Sequence, residues 1–361
     1  MPSSFSPITM TSITASSSLL TLSFSTPVVD SAVDVAVSNA TQPKGHDMKV
    51  LITGGAGFIG SNLAKYINSH LPDAEVRIID DLSGGRLSNL EGSKVEFTEG
   101  SILDYPLLLS VTEGVDSVVH LAAIGSVPRS VDFPRPTHDA NSTGTLNILE
   151  AARECGVDHV VVASSSSVYG SNLTLPKSEF DWTRPMSPYA VSKAATEGYA
   201  IAYNFSYGMK TLAMRFFNVY GPGQPADHDY AAVIPKFLDA ALDGRPLPVH
   251  GDGMQSRDFT FVETVCAAIL AAVTDKVNSR DPVNLAFGTN TTLFELVSRL
   301  ETALGTNLQV EHTDPRVGDV RSSQSDGVRI RELFPTLEPH PFDDGLRQTI
   351  EWFKTIRAAA R

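Results

Sequence analysis

The sequence predicts an α/β fold, in which a doubly wound parallel sheet is covered by helices on both faces and a smaller C-terminal lobe follows. From Lys49 onward, short β-branched segments alternate with helical segments. The strand-like segments are apolar throughout, which is typical of parallel strands buried on both faces. A glycine-rich turn follows the first of them. The predicted strands are Lys49–Thr53, Val76–Asp80, Val95–Glu99, Ser117–Leu121, His159–Ser164 and Met209–Phe216.

The chain divides into three regions by composition. Residues 1–47 are rich in Ser and Thr and contain no Lys or Arg before Lys44, so they lack the basic residues of a secretory signal or a transit peptide. We predict that this region is a disordered leader, or that the start codon has been over-called upstream of the true one, and that the fold begins at Met48. Residues 48–220 are predicted to form the sheet domain. After the Gly-Pro-Gly turn at 221–223 the alternation loosens, and residues 221–361 are predicted to form mostly the smaller lobe, with segments that interleave with the sheet domain.

Composition and charge exclude several classes of protein. The 361 residues are 42% hydrophobic and 19% charged, and no apolar run approaches the roughly 20 residues that a membrane-spanning helix needs. The net charge of −13, without any Lys/Arg cluster, argues against a nucleic-acid partner. Cys155 and Cys266 lie far apart, and the nine histidines lack ligand spacing. We therefore predict a cytoplasmic chain with no disulfide scaffold, no metal site and no membrane partner.

The first chemical motif is the turn TGGAGFIG at 53–60, which joins the first strand to a helix. Gly54, Gly57 and Gly60 suit a tight turn, close approach of a pyrophosphate and tight helix packing, and the helix N-terminus favours a phosphate. Asp80 ends the next strand 20 residues after Gly60, where a carboxylate binds ribose hydroxyls and repels a 2′-phosphate. We predict an NAD-binding Rossmann domain. A plain glycine turn is the alternative, and Arg86 in the next loop is the one feature that favours NADP.

The second motif is Tyr189 followed by Lys193. Apolar residues recur at helical spacing from Val191 to Ala202, so a helix beginning at Pro188 places the two side chains one turn apart on a shared face. A free tyrosine has a pKa near 10, and bringing it near 7 takes about 4 kcal/mol. A neighbouring ammonium and a nicotinamide cation supply such stabilisation and make the tyrosine a general base. The alternative is a surface pair on an amphipathic helix.

The third motif is SSSSVYG at 164–170, which leaves the fifth predicted strand at the carboxyl edge of the sheet. Ligands of doubly wound sheets bind at this edge. Hydroxyl groups there can donate hydrogen bonds to a sugar oxygen. A polar loop at a strand end is the alternative, and composition alone favours it.

Together with HLAA at 120–123, SPYAVSK at 187–193 and RFFNVYGP at 215–222, these motifs resemble the extended short-chain dehydrogenase/reductase family. The resemblance extends from Met48 to the C-terminus. Within the family the sequence looks like the nucleotide-sugar 4-epimerases. The segments 125–130, 231–236 and 318–321 look especially like the UDP-N-acetylglucosamine 4-epimerase branch.

The resemblance implies a set of site residues. It makes Ser165, Tyr189 and Lys193 the catalytic residues. The implied NAD-binding residues are Gly54, Gly57, Phe58, Ile59, Gly60, Asp80, Ser101, Ile102, Leu121, Ala122, Ala123, Tyr189 and Lys193. The resemblance also implies a UDP-sugar substrate, which the C-terminal lobe and the sheet domain bind together. The implied substrate-binding residues are Ser126, Ser165, Ser166, Asn218, Arg257, Arg316, Asp319 and Ser323.

Three of these residues match family positions that hold the UDP phosphates: Asn218, Arg257 and Arg316. An acidic protein that binds a pyrophosphate needs such local cations. The alternatives are a surface ion pair between Arg257 and Asp258, and a loop charge at Arg316. Ser101 stands where the family usually has Asp against the adenine amino group, so the resemblance implies weaker retention of NAD.

The resemblance also narrows the reaction. Family dehydratases and decarboxylases carry an acid just after the catalytic Ser or Thr, whereas this chain has Ser166 and Ser167. An elimination would lack its acid, so the resemblance implies epimerisation. In that reaction Tyr189 takes the proton of the sugar 4-hydroxyl while hydride leaves C4 for NAD, and the hydride then returns to the other face of the 4-keto sugar. Ser165 orients the 4-oxygen, and Lys193 lowers the pKa of the tyrosine. Ser323 falls where a large aromatic residue would exclude an N-acetyl group.

The sequence-based hypothesis is therefore an NAD-dependent 4-epimerase of UDP-GlcNAc/UDP-GalNAc that also acts on UDP-glucose/UDP-galactose. The rivals are a strict UDP-glucose 4-epimerase, a UDP-glucuronate 4-epimerase and, from a different class, a non-catalytic NAD-sensing regulator. The resemblance further implies a homodimer formed through the helices around Thr143–Glu154 and Tyr189–Ala202. The alternative is that other parts of the same chain cover these apolar faces.

Overall fold

The central feature is a parallel sheet of seven strands in the order β3-β2-β1-β4-β5-β6-β11. The computed structural model describes residues 48–226, 231–314 and 320–359, so the predicted leader 1–47 lies outside the described residues. The sheet strands are β1 (Lys49–Thr53), β2 (Glu75–Asp80), β3 (Glu96–Glu99), β4 (Ser117–His120), β5 (His159–Ser165), β6 (Lys210–Phe216) and β11 (Val283–Leu285). The predicted doubly wound α/β fold is confirmed, and each predicted strand ends within one residue of its observed bounds.

Helices cover both faces of the sheet. They are α1 (Phe58–His70), α2 (Tyr105–Thr112), α3 (Val127–Asp132), α4 (Pro134–His138), α5 (Gly144–Glu154), α6 (Pro188–Tyr207), α7 (Val233–Leu242), α8 (Val262–Thr274), α9 (Leu293–Leu304), α10 (Val328–Leu333) and α11 (Phe342–Ala359). Val50 and Ile52 of β1 pack into the core formed with α1 and α8, whereas Leu51 packs into the core formed with α2, α5 and α6. None of the helices within the described ranges is long and apolar enough to cross a membrane.

Helix α6 begins as predicted. The Ser187 hydroxyl accepts a hydrogen bond from the Ala190 N–H, and Pro188 occupies the first turn, where its missing N–H leaves no bond unmade. Gly208 ends the helix in the left-handed conformation, with φ of 67°. A π-helical turn, Asp139–Thr143, precedes α5, which corresponds to the helix predicted around 143–154.

The C-terminal half contributes β11, which pairs with β6 and was not predicted, and several short strands. These are β7 (Val219–Tyr220), β8 (Leu247–His250), β9 (Ser256–Arg257), β10 (Thr260–Phe261), β12 (Thr291–Thr292), β13 (Val310–Thr313) and β14 (Ser322–Ser323). They pair as β10-β7, β12-β9-β14 and β13-β8. Because β7 follows β6 after two residues, the chain enters these small sheets at the carboxyl edge of the central sheet. The domain boundary at residue 220 stays a prediction.

Two histidines are buried within the sheet and predict a loss of stability in acid. Burial lowers the pKa of His120 to about 3 and that of His159 to about 4. Both histidines become protonated near pH 6.5 in the unfolded chain but stay neutral in the folded one. The free energy of unfolding therefore decreases as the pH falls from 7.5 to 5.5. We expect a loss of about 1 kcal/mol for each histidine, measured by urea unfolding at the two pH values.

The matched variants separate burial from histidine content. His159→Gln removes one buried titrating group, so its loss between pH 7.5 and pH 5.5 is expected to be about 1 kcal/mol smaller than that of the wild type. His70 is exposed on α1, and His70→Gln is expected to leave the loss unchanged. Equal losses in the His159 variant and the wild type would contradict the prediction.

Candidate active site

The turn between β1 and α1 depends on glycine at two positions. Gly54 has φ of +69°, its N–H donates to the Ile79 carbonyl at 2.9 Å, and an added Cβ would lie 2.7 Å from the Ala122 backbone. At Gly60 an added Cβ would lie 2.4 Å from the Gly54 carbonyl oxygen, because α1 packs directly on the turn. A side chain at either position would meet backbone, which cannot move aside as a flexible side chain does.

Gly57 differs from both. Its φ of −76° is open to any residue, and the nearest atom to an added Cβ is the Gly54 carbonyl oxygen, at 3.2 Å. It precedes α1 without a side-chain cap, and the N–H groups of Phe58, Ile59 and Gly60 form the first turn, where helical N–H groups have no acceptor within the helix. This is an open, positively polarised cradle that fits a pyrophosphate.

Asp80 is buried at the carboxyl end of β2 and faces the same turn. Its carboxylate accepts hydrogen bonds from the Ala56 N–H at 2.9 Å and the Leu82 N–H at 2.8 Å, and burial raises its pKa. The Arg86 N–H donates to the Ala56 carbonyl at 3.0 Å, so the loop that carries Arg86 also rests on this turn. The carboxylate retains lone pairs that fit ribose hydroxyls.

The other predicted cofactor residues follow neighbouring strands at the same edge. After β4, the Leu121 N–H donates to the Thr53 carbonyl, and the Ala122 N–H to the Thr53 hydroxyl, each at 3.2 Å; Ala123 follows. After β3, the Ser101 hydroxyl accepts from the Leu103 N–H at 3.2 Å. Ile102 is buried beside Gly144, where an added Cβ would lie 2.3 Å from its Cδ1.

The three predicted catalytic residues come together between β5 and α6. Ser165 ends β5, and its hydroxyl accepts from the Ser167 N–H at 3.1 Å. Tyr189 is in the first turn of α6, close enough to the Ser165 hydroxyl for that group to lower the pKa of its phenol. The Lys193 ammonium donates to the Ala163 carbonyl at 2.7 Å, two residues before Ser165. The structure therefore places a hydroxyl, a phenol and an ammonium at one end of β5.

Burial controls the charges in this group. It raises the pKa of Tyr189, and the nearby Ser165 hydroxyl opposes that rise. It lowers the pKa of Lys193 to about 8, which leaves the ammonium mainly charged at pH 7. The described residues alone therefore keep the tyrosine protonated at neutral pH, and an additional positive charge is needed to make it a base.

A buried ion pair, which the sequence analysis missed, holds α6 against β5 and β6. Arg215 of β6 donates to both carboxylate oxygens of Glu197, at 2.9 and 2.6 Å, and the Ser164 hydroxyl donates to the same carboxylate at 3.0 Å. Glu197 lies one turn beyond Lys193, and Ser164 directly precedes Ser165, the predicted catalytic serine. A charged residue in each of two otherwise apolar segments was the signal that could have found the pair.

A second missed network connects the glycine turn to α6. His120 at the end of β4 bonds through Nδ1 to the Thr53 hydroxyl at 2.8 Å and through Nε2 to the Thr145 hydroxyl at 3.1 Å. Because the Thr145 hydroxyl donates to the Asn141 carbonyl, we assign the histidine proton to Nε2. The Asn141 side chain in turn donates to the Ser192 hydroxyl on α6 at 2.9 Å.

Three of the predicted substrate residues meet in the small sheets. Arg257 of β9 and Ser323 of β14 are direct partners in the parallel register. The Asn218 amide donates to the Asp258 carbonyl at 3.2 Å. Asp258 is fully buried, which excludes the alternative of a surface ion pair with Arg257.

The remaining substrate residues are elsewhere. Ser126 precedes α3 and caps it by accepting from the Arg129 N–H at 3.2 Å, and Ser166 opens the short 3-10 turn that follows β5. Arg316 and Asp319 lie outside the described residues.

Comparison with known proteins assigns the family. The NAD dependent epimerase/dehydratase family matches residues 50–286. The chain belongs to this family. Its membership confirms the resemblance to the extended short-chain dehydrogenases/reductases and identifies the chain as an NAD-dependent enzyme. The cradle at Gly57 and the carboxylate of Asp80 fit that cofactor.

Individual relatives of this epimerase/dehydratase carry several activities. The chain is 37% identical over 314 residues to a UDP-glucose 4-epimerase of Mycolicibacterium smegmatis, covering 85% of this chain and 99% of that one. A UDP-N-acetylglucosamine 4-epimerase structure from Methanobrevibacter ruminantium, in complex with UDP-N-acetylmuramic acid, matches with TM-score 0.81 and 34% identity over 86% of this chain and all of that one. A dTDP-glucose 4,6-dehydratase structure from Streptomyces venezuelae, with NAD bound, matches with TM-score 0.79 and 32% identity over 86% and 98%.

Proposed function

We propose that the protein is a UDP-hexose 4-epimerase, with UDP-GlcNAc and UDP-GalNAc as one substrate pair and UDP-glucose and UDP-galactose as another. The observation that carries this proposal is the group formed by Ser165, Tyr189 and Lys193 at the end of β5, without a carboxylate at Ser166 or Ser167. Such a group can remove and return a proton on a sugar hydroxyl but has no acid in that turn to expel water.

The residues of this chain have separate parts in the reaction. Phe58, Ile59, Gly60 and Asp80 hold NAD, which, when bound, supplies the acceptor and donor of hydride for the sugar C4. Ser165 donates a hydrogen bond to the 4-oxygen. Tyr189 removes the proton of the 4-hydroxyl and returns it to the oxygen of the inverted sugar. The charged ammonium of Lys193 stabilises the phenolate during this exchange.

The choice of sugar rests on Ser323. It is half-buried beside Arg257, which the same proposal assigns to the phosphates. A serine side chain leaves space for an N-acetyl group at C2, whereas a large aromatic side chain would clash with it. The absence of a clash admits both acetylated and unacetylated sugars, so we propose activity on both.

Proton NMR of the products tests the proposal. The protein is incubated with UDP-GlcNAc, UDP-glucose and UDP-glucuronate separately, with and without added NAD. We expect the 4-epimers of UDP-GlcNAc and UDP-glucose. The 4-epimer of UDP-glucose or UDP-glucuronate alone would contradict the argument from Ser323 but retain the reaction. No product from any of the sugars would contradict the epimerase and favour the NAD-sensing regulator.

A homodimer formed through α5 and α6 is part of the same proposal, as is a cytoplasmic location. Large apolar side chains of α6 are exposed on one chain: Val191, Tyr199 and Phe205 are 56%, 36% and 63% exposed. Pairing with a second copy would remove this surface from water. Light scattering is expected to give about twice the 38.7 kDa mass of the chain, and Val191→Glu to shift it toward a single chain. A single-chain mass for the wild type would contradict the dimer.

A further inference from the structure

Asp258 is a fully buried carboxylate that binds two separate loops. Its Oδ1 accepts hydrogen bonds from the Thr289 N–H at 3.2 Å and the Thr289 hydroxyl at 2.7 Å. Its Oδ2 accepts from the Gly288 N–H at 3.0 Å and the Ser325 N–H at 3.1 Å. A buried carboxylate is costly unless its oxygens are bonded, and these four bonds satisfy it. One side chain thus joins the β11–β12 loop to the segment that follows β14.

These contacts bear directly on the proposed phosphate and sugar contacts. Ser325 lies two residues beyond Ser323. Arg257 directly precedes Asp258, and the Asp258 carbonyl accepts the hydrogen bond of the Asn218 amide. Asp258 therefore adjoins all three described residues proposed for this end of the substrate: its carbonyl accepts from Asn218, Arg257 directly precedes it, and its side chain holds the segment just beyond Ser323.

We propose that Asp258 is a positioning residue for the UDP part of the substrate, and this inference rests on the proposed function. It sets the register between β9 and β14, which places Arg257 beside Ser323. Its contacts lie outside the glycine turn that holds NAD. Loss of its carboxylate is therefore expected to weaken UDP binding selectively.

Asp258→Asn is the decisive variant because it preserves the shape and alters one atom. The amide replaces one acceptor oxygen with an NH2 group, so either the Thr289 or the Gly288 and Ser325 donors lose their acceptor. Calorimetric titration with UDP and, separately, with NAD measures the effect. We expect the Kd for UDP to rise about tenfold or more and that for NAD to stay within about twofold of the wild type.

Two further variants complete the experiment. Asp275→Asn changes an exposed carboxylate at the end of α8 and is expected to leave both constants unchanged. Thr289→Ala removes only the hydroxyl that donates to Oδ1, and we expect it to raise the Kd for UDP about threefold. The Thr289→Ala variant tests the inference if Asp258→Asn does not fold.

The possible outcomes are distinct. A folded Asp258→Asn protein that binds UDP within about twofold of the wild type, or one that loses NAD and UDP affinity equally, overturns this inference alone. If Asp258→Asn does not fold, a Thr289→Ala protein whose Kd for UDP equals that of the wild type also overturns this inference alone. A wild-type protein that binds NAD but not UDP overturns the proposed function and this inference with it.

Discussion

Replacing Tyr189 with phenylalanine is expected to lower the turnover of UDP-hexose by about 10²–10⁴-fold and to leave NAD affinity within about twofold of the wild type. The substitution removes only the phenolic oxygen, which lies near Ser165 and is the one proposed to exchange the sugar proton. The ring and its place in the first turn of α6 are retained. Burial already raises the pKa of this phenol, so we expect no other hydroxyl of the site to take its place as a base.

Tyr199→Phe is the matched control because it makes the same change on the same helix, ten residues further on. The Tyr199 side chain is 36% exposed and is not among the residues proposed to act on the sugar. We expect normal turnover from it. Initial rates of product formation, together with calorimetric titration of NAD, measure both effects. A Tyr189→Phe enzyme as active as the wild type would contradict the assignment of the proton-transferring group.

Gly54→Ala is expected to lower the free energy of unfolding by about 2–5 kcal/mol. Two costs combine at this position. The φ of +69° is strained for any residue with a Cβ, and that Cβ would lie 2.7 Å from the backbone of Ala122. Gly54 directly follows β1 and its N–H is bonded to the Ile79 carbonyl of β2, while the Ala122 N–H is bonded to the Thr53 hydroxyl, so neither segment can move aside without losing these bonds. Urea unfolding measures the loss, and we expect NAD binding to be lost with the turn.

Gly57→Ala is expected to have the opposite pattern. Its backbone conformation suits alanine, so the free energy of unfolding changes by less than about 1 kcal/mol. The added methyl group would stand directly before the first-turn N–H groups of α1 that we propose for the pyrophosphate, and we expect NAD affinity to fall about tenfold or more. Gly84→Ala, where an added Cβ meets nothing within 4 Å, is the control for both measurements. A Gly54→Ala protein as stable as the wild type would contradict the steric argument.

Local patterns in the sequence were sufficient to predict six strands of the central sheet and the helix α6. Continuous apolar runs mark parallel strands because both faces of such strands are covered, and Pro188 marks the start of α6. The glycine turn was also readable, since the steric demands at Gly54 and Gly60 allow few other residues. What these features share is that their causes lie within one short segment.

Features that depend on partners distant in the chain were not predictable from local patterns. The strand β11 has three residues, too few for a recognisable pattern, and it exists because β6 offers it an edge. Arg215 and Glu197 were visible as charges within apolar segments, but nothing local identified them as partners. A buried charge is stable only with a partner, and that partner becomes evident when α6 is packed on the sheet.

By itself, the sequence determined the fold class, the glycine turn and the residue types available for chemistry, because helix and strand periodicity and glycine sterics act over a few neighbouring residues. Only the tertiary structure decided that Ser165 lies against Tyr189, that Arg257 pairs with Ser323 and that Asp258 joins two loops to them. Each of these contacts depends on strand register and on the burial of polar groups. Register and burial are set by the packing of segments far apart in the chain, because a buried carboxylate or ammonium is stable only where other segments supply its hydrogen-bond partners.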